Sequence, residues 1–509
     1  MPVTQQTPSP ANPITEKPLS LSEVISALSF AIDLTEGAVP GHALRTCILG
    51  MRLARRVGLS TDLLGDLYFA LLLKDIGCSS NAARVGQIVG GDDRIVKAGI
   101  KLENWTNPYN TSRSSLSLLW NTVLPDADPI RRLLRIARIA LNSDKNNMEL
   151  VALRCQRGAS IIRKLGFNET VAQAVQALDE HWDGHGCPKR LAGAEIPILA
   201  RILAVAQHLD VFATARSPAI ALDVLRDRIR GWFDPHLVQI AIDLDREGSL
   251  WTGCSAQDNH DTTLQLVLGL TPHAPRRLAH QEIDRLCEAF ADVVDAKSPF
   301  TYRHSLGVAE VAYNIASTLG LPEERRQLVR RAALLHDLGK LSVPNTILDK
   351  SGHLSQEERR HIEKHPRLTR QILARIGPFK EIAAIAGAHH ERLDGSGYPD
   401  HLTVSQIPLE ARILAVADIY RALTEQRPYR PGLTHDKVIH LIRADTPGKL
   451  DPEVVAALET YLRLRSSAPL SPSTDDLPAD AAVCLCEAPI AHPREAPEKV
   501  PADHIANLH

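Results

Sequence analysis

The sequence predicts an all-α protein in which two helical-bundle domains of one kind follow each other along the chain. Of the 509 residues, 44% are hydrophobic but only 4% are aromatic, and this Ala- and Leu-rich composition favours helices over strands. Amphipathic helical periodicity runs through most of the chain. An internal repeat then divides the chain into two copies of one unit.

The elements follow in a simple order. Residues 1–19 are rich in Pro, Thr and Gln, and we expect a mobile arm. Residues 20–270 predict a first helical domain, 271–278 a polar linker, and 279–465 a second helical domain. Residues 466–509 are dense in Pro, Ala, Ser and Asp, which is typical of a disordered tail.

The repeat is visible in matched segments. His42 matches His304 at an offset of 262 residues, whereas segment 196–206 matches segment 407–417 at an offset of 211. The first copy therefore carries 51 extra residues, and we expect this insertion near residues 79–154.

Charge and cysteine content argue against several classes of function. Lys and Arg number 58 against 60 Asp and Glu, and neither a basic stripe nor a helix-turn-helix signal supports direct nucleic-acid binding. The eight cysteines contain no CxxC pair, so no disulfide framework is expected. Cys484, Cys486 and His492 could bind a metal, but a solvated tail is favoured. With no recognisable signal peptide and no apolar stretch of ~18 residues, we expect a cytoplasmic protein without a membrane span.

The second copy concentrates residues that can ligate metals. The set is His304, His336, Asp337, His365, His389, His390 and Asp418. Imidazole and carboxylate ligands can hold two divalent ions and leave positions for water and substrate, and one Asp can bridge both ions. One such histidine alone could simply be a hydrogen-bonded residue. Seven together, at the ends of predicted helices, indicate a two-metal centre.

A glycine-rich loop follows the last histidine pair. Gly397, Tyr398 and Pro399 predict a tight turn that brings an aromatic face to the cluster, where it could stack on a nucleotide base. Arg392 and Lys340 could neutralise phosphate charge. For Lys340, a role in offsetting a helix macrodipole is equally compatible with its position.

These motifs resemble the HD-GYP domain, a branch of the HD phosphohydrolase superfamily associated with hydrolysis of the bacterial second messenger cyclic di-GMP. The segments that carry the resemblance are 336–340, 365–366, 389–392, 394–399 and 412–418. The resemblance implies two tandem HD-type bundles, and it implies that the seven residues above ligate two ions, iron or manganese, with Asp337 as the bridge. Lys340 would contact the scissile phosphate, and the loop 397–399 would shape the substrate site.

The function implied is hydrolysis of cyclic di-GMP to pGpG or GMP by a hydroxide that bridges the two metals. An alternative enzyme would act on another cyclic dinucleotide or nucleotide. An alternative of another class is a receptor or scaffold that binds the messenger without turnover. A homodimer is compatible with each of these functions.

Three residues depart from the family pattern. Phe300 stands where some members carry a glutamate associated with a third metal, which favours two ions. Arg421 and Thr369 stand where members usually have Asp and Gly. Arg421 lies within one helical turn of Asp418, so it could alter metal affinity or substrate preference.

The first copy has lost most of the ligands. The positions that match the seven hold His42, Lys74, Asp75, Arg154, Leu178, Asp179 and Gln207, and Cys187 replaces the loop tyrosine. Lys74 and Arg154 put positive charge where a metal would bind, so they could pair with Asp75 or an anion instead. We expect an inactive copy with a structural or dimerising role. A regulatory nucleotide held by Lys74 and Arg154 is the alternative.

Overall fold

The computed structural model describes residues 19–103, 113–273, 277–299, 301, 303–426 and 432–467. Nearly all of the predicted arm and tail lies outside the described residues, as does Phe300. The described residues contain many helices, three isolated bridges and no β-strand, which confirms the all-α prediction. The six cysteines in this part of the chain are free and buried, in line with the absence of a disulfide framework.

The first copy contains the larger number of helices. They are α1 (Leu21–Thr35), α2 (His42–Val57), α3 (Thr61–Leu73), the 3₁₀ turn η1 (Cys78–Asn81), α4 (Ala82–Val89), α5 (Asp93–Ile100), α6 (Arg113–Thr122), α7 (Pro129–Leu141), α8 (Ser143–Lys164), α9 (Glu169–Gln176), η2 (Gly193–Glu195), α10 (Ile198–Ala215), α11 (Pro218–Asp227), α12 (Pro235–Arg246) and α13 (His260–Gly269).

The second copy follows the same order, but two short helices lie where the first copy has α4 to α7. Its elements are α14 (His280–Asp295), α15 (His304–Thr318), α16 (Glu323–Leu335), η3 (Leu338–Ser342), α17 (Asn345–Leu348), α18 (Gln356–Ile362), α19 (His365–Leu373), η4 (Gly377–Phe379), α20 (Lys380–Gly387), α21 (Leu409–Thr424), α22 (His435–Ala444) and α23 (Pro452–Ser467).

Matched residues start the matched helices α2 and α15. Gly41 precedes α2 with a φ of +86°, and Arg303 precedes α15 with a φ of +60°. This left-handed residue turns the chain so that the next residue, His42 or His304, begins a helix at the bundle centre. In each copy that helix packs between two others: α2 between α3 and α10, and α15 between α16 and α21.

The apolar helix α10 corrects one expectation. Its 18 residues are long and apolar enough to cross a membrane by length and composition, although the sequence was expected to contain no such segment. However, 61% of these residues are buried inside the protein, and α10 packs on α2. Helices at the core of a folded domain have the same composition, so this helix is weak grounds for a membrane span.

The two copies pack against each other around their η turns. The first helix of each copy contacts the turn of the other, α1 on η3 and α14 on η1. Helix α5 of the first copy also reaches the second copy, where Asp93 accepts a hydrogen bond from the backbone N of Asn345 at 2.9 Å. The Lys297 ammonium lies 3.6 Å from the Asp93 carboxylate, and both side chains are almost fully buried. Arg94 donates a hydrogen bond to the Ser342 carbonyl at the end of η3.

Candidate active site

The second copy brings all seven predicted ligands into one buried cluster. His304 begins α15, His336 and Asp337 follow α16, His365 begins α19, His389 and His390 follow α20, and Asp418 lies within α21. None of the seven is more than 4% exposed. Five separate elements therefore converge on one point at the centre of the bundle.

Close backbone contact fixes the turn that carries His336 and Asp337. A Cβ at Gly339 would lie 2.1 Å from the carbonyl oxygen of His365, so only glycine fits there. The hydroxyl of Thr369 accepts a hydrogen bond from the Gly339 N–H and donates one to the His336 carbonyl, each at 2.9 Å. Thr369 departs from the family pattern, and in this structure it ties the turn to α19.

Hydrogen bonds at Nδ1 orient the imidazoles. The Nδ1 atoms of His336, His365 and His389 lie 2.7, 2.8 and 2.6 Å from the backbone carbonyl oxygens three residues earlier. A carbonyl can only accept, so each Nδ1 carries the proton and each Nε2 has a free lone pair. This arrangement of the second ring nitrogen is usual for histidines that ligate metals.

The candidate ligand atoms form two neighbouring sets. His304, His336 and Asp418 offer donor atoms within 4.8 Å of one another, as do His365, His389 and His390.

Asp337 lies between the two sets. Its Oδ2 is 3.3 Å from His336 Nε2, and its Oδ1 is 3.3 Å from His365 Nε2 and 3.8 Å from His389 Nε2. The carboxylate can therefore reach both sets at once.

The donor set fits two divalent cations. His336 Nε2 and Asp337 Oδ1 are buried and have no hydrogen-bond partner among the described residues. Burial disfavours charge on Asp337, but the neighbouring His336 imidazole and Lys340 ammonium outweigh it and hold the pKa of Asp337 well below its usual value. A buried anionic carboxylate among Nε2 lone pairs is a site for positive charge, and the nitrogen and oxygen donors suit iron, manganese or zinc.

Two cationic residues border the cluster. The Lys340 ammonium lies 2.7 Å from Asp337 Oδ2, and its side chain is 18% exposed, whereas that of Asp337 is 3% exposed. Arg392 Nη1 is buried and makes no hydrogen bond to any described residue. Both predicted phosphate-binding residues therefore lie near the cluster with donor capacity to spare.

The predicted loop is held rigidly against the cluster. The Glu391 carboxylate accepts hydrogen bonds from the N–H groups of Asp400 and Leu402 at 2.7 and 2.9 Å. A Cβ at Gly397 would lie 2.3 Å from the backbone nitrogen of Arg392, so only glycine fits there. The Tyr398 ring lies on His390 with a centroid distance of 4.8 Å. The loop therefore places an aromatic ring directly on a candidate ligand, as predicted.

Glu425 joins the site without having been predicted. It accepts a hydrogen bond from His304 Nδ1 at 2.8 Å and pairs with Arg421 at 2.9 Å. Burial opposes protonation of His304, but hydrogen bonds to Asp418 and Glu425 outweigh burial and raise the pKa of His304 to about 10. Arg421 therefore acts on the cluster through Glu425. The helical spacing of Arg421 and Glu425 was the signal available in the sequence.

Cations fill the matching centre of the first copy. The Lys74 ammonium lies 2.8 Å from His42 Nε2 and binds Asp75, as predicted. Arg154 pairs with Asp179 and not with Asp75. Burial and the neighbouring charge of Lys74 lower the pKa of His42 to about 4, so this imidazole is neutral.

The insertion adds a further cation. Lys101, which follows α5, lies 2.8 Å from Glu36 and 3.3 Å from Asp75. Glu36, Asp75 and Cys78 come close enough together to hold a metal ion, but Lys101 already bridges the two carboxylates. Protein cations thus take the place that a metal would need.

Comparisons with known proteins agree with this geometry. A family model described as HD domain matches residues 132–237 and 288–454. The 3′3′-cGAMP-specific phosphodiesterase 3 of Vibrio cholerae is 40% identical over 458 residues, which cover 89% of this chain and 96% of that protein. A crystal structure of a V. cholerae cyclic GMP-AMP specific phosphodiesterase matches 88% of this chain and 99% of its own, with 36% identity and a TM-score of 0.60.

A shorter match is found with an enzyme of another specificity. The cyclic di-GMP phosphodiesterase response regulator RpfG of Xanthomonas campestris is 40% identical over 180 residues, which are 35% of this chain and 47% of that protein.

Proposed function

Because this chain belongs to the HD domain family, in its HD-GYP branch, we propose that it is a metal-dependent phosphodiesterase that hydrolyses 3′3′-cGAMP. The relative that matches nearly the full length is specific for 3′3′-cGAMP, whereas the cyclic di-GMP enzyme RpfG matches 35% of the chain. The sequence motifs alone favoured cyclic di-GMP, which becomes the second substrate to test.

The observation that supports this function is the position of Asp337 between two sets of buried imidazoles. His304, His336 and Asp418 would hold one ion, His365, His389 and His390 the other, and Asp337 would bridge them. Iron and manganese are the two metals to test first. Two bound ions would supply an activated water at neutral pH and positive charge against the phosphate.

The protein's own residues would bind and orient the substrate. Lys340 would donate hydrogen bonds to the scissile phosphate from its place beside Asp337. The unpaired Nη1 of Arg392 would bind a second phosphate oxygen, and Tyr398 would stack on a base. Because Gly397 and Glu391 fix the loop, these contacts need no large rearrangement.

A receptor without turnover has less support. That alternative is motivated by Arg421 and by the degenerate first copy, and Arg421 is paired with Glu425.

The test is a substrate panel on protein purified without oxygen. We expect about two metals per chain, and faster conversion of 3′3′-cGAMP than of cyclic di-GMP or cyclic di-AMP to a linear dinucleotide. Faster conversion of cyclic di-GMP would reverse the proposed specificity. Bound metal with no turnover of any cyclic dinucleotide would refute the function.

A further inference from the structure

A cavity lies in the first copy at the place that matches the candidate active site. Its volume is ≈ 110 Å³. One water requires roughly 10–15 Å³ measured in this way, so the cavity is much larger than a packing defect. Its wall includes Asn81, Lys101, Arg154, Asp179, Gln207 and Trp232.

Two carbonyl oxygens in this wall have no partner. Gln207 Oε1 and Asn81 Oδ1 are buried and accept no hydrogen bond from any described residue, and the two residues are 5% and 7% exposed. The Asn81 amide nitrogen donates to the Leu150 carbonyl at 3.2 Å, which assigns the free atom as the oxygen. A buried acceptor of this kind needs a hydrogen-bond donor, and the N–H groups of a ligand in the cavity can supply one.

The charges of the wall balance. Lys97, Lys101 and Arg154 face Glu36, Asp179 and Glu180, three cations against three carboxylates. A neutral wall does not select a phosphate, and this argues against the phosphate-binding role considered from Lys74 and Arg154. Lys74 is also fully buried against Asp75.

The ion pair of Arg154 and Asp179 offers a donor and an acceptor side by side. Both side chains are 14% exposed, so a ligand in the cavity can reach them. Leu178, Trp232 and Phe233 supply the apolar part of the wall. The Trp232 ring is itself held by stacking on His181, with a centroid distance of 4.1 Å, and by the Arg228 guanidinium.

We infer that this cavity binds the guanine base of a nucleoside or nucleotide. Guanine carries N–H donors on one edge, which Asp179 and the free oxygens of Gln207 and Asn81 can accept. Its other edge carries O6 and N7, the acceptors that arginine recognises, and Arg154 supplies the donors. Adenine has no carbonyl oxygen and fewer N–H groups, so it matches the wall less well. The inference is independent of turnover in the second copy.

Calorimetry on the full chain with guanosine tests this inference. We expect one guanosine per chain, with binding retained in Asp337→Ala, which disables the proposed active site. Arg154→Gln is expected to weaken binding at least tenfold. Arg163→Gln is the matched control because Arg163 lies on the same helix α8 and pairs with Glu169 at the surface; it should bind guanosine as the wild type does.

A second variant covers the case in which Arg154→Gln does not fold. Asn147 lies half-buried in the cavity wall, and Asn147→Trp should block guanosine while the buried charges stay in place.

Four results would overturn the inference. They are no guanosine binding to folded wild type at millimolar concentration, equal binding of adenosine, binding of inorganic phosphate as tight as that of guanosine, and binding that is lost in Asp337→Ala but kept in Asn147→Trp.

Discussion

The two copies have one scaffold and two different centres. Gly77 and Gly339 each lie where a Cβ would meet a backbone carbonyl at 2.1 Å, and Glu180 and Glu391 each bind two backbone N–H groups of the following loop. At the centre, however, Asp337 lies among imidazoles, whereas Asp75 lies between two lysines. A metal centre can thus be lost without leaving a buried carboxylate unpaired, provided that cations replace the metals.

The support of the first histidine differs in a related way. His42 Nδ1 lies 2.6 Å from Asp210, which also binds Arg45. In the second copy, His304 matches His42, Arg421 matches Asp210 and Gly307 matches Arg45. There Glu425 supplies the carboxylate and Arg421 the guanidinium, which lies over Gly307 where a Cβ would come within 2.4 Å. The charge pair is kept although its two members have changed positions in the sequence.

The two matched aspartates give the largest expected difference. Asp337→Ala should abolish turnover and metal binding, because it removes the carboxylate between the two sets of ligands. Asp75→Ala should leave turnover within about threefold of wild type but lower the free energy of unfolding by about 3–5 kcal/mol, since the buried Lys74 loses its carboxylate partner and Lys101 keeps only Glu36. Product chromatography, metal analysis and denaturant titration measure these effects. Loss of turnover in folded Asp75→Ala would contradict the assignment of the active site to the second copy alone.

Copying the first centre into the second is the next test. His336→Lys should place an ammonium against Asp337, as Lys74 lies against Asp75. We expect a folded protein with at most one metal per chain and turnover reduced by more than about 100-fold, because the ammonium repels the metal. Metal quantification and circular dichroism check this expectation, with His336→Gln as the uncharged control. Two metals in His336→Lys would show that cations do not explain the loss in the first copy.

A smaller effect is expected at Glu425, the carboxylate that supports His304 as Asp210 supports His42. Glu425→Gln should weaken metal affinity by about 10- to 100-fold, because the anionic acceptor that orients the His304 ring becomes a weaker, neutral one. A chelator competition assay measures this affinity separately from turnover. The triple variant Gly307→Arg, Arg421→Asp and Glu425→Thr copies the first copy's arrangement and should restore affinity. Unchanged affinity in Glu425→Gln would remove Glu425 from the site.

The smallest expected effect concerns His208, whose matched residue is Ile419. Burial, helped by the charge of Arg228, lowers the pKa of His208 from 6.5 to about 3. The folded protein keeps the imidazole neutral while the unfolded chain takes up a proton, so this contribution to stability is lost as the pH falls from 6.5 towards 3.

His208→Ile should remove that loss. Between neutral pH and roughly pH 5.5, the free energy of unfolding should fall by about 1 kcal/mol less in the variant than in wild type. Denaturant titrations at several pH values measure the slopes, and the exposed His440→Gln is the control. Parallel slopes for wild type and His208→Ile would mean that His208 is not held neutral.

The fold and the seven-residue cluster could be predicted from the sequence because both follow from local patterns and from the repeat. Tyr398 and Gly397 were likewise predicted by their place in a short motif. Glu425 was missed because its role depends on a contact across 121 residues, made where α21 ends. Lys101 was missed because the insertion has no counterpart in the second copy, so no matched position pointed to it.

Helix α5 has a consequence for how this chain can be divided. Its Asp93 end is buried against Lys297 and Asn345 of the second copy, while Lys97 lies beside Glu36 of the first. Cutting the chain at residues 271–278 would expose Lys297 and Asp93, two side chains that are otherwise shielded from water. The two halves are repeats of one unit, yet the inserted helix joins them through a buried ion pair, so transferring either half alone to another protein would leave Asp93 or Lys297 without its partner.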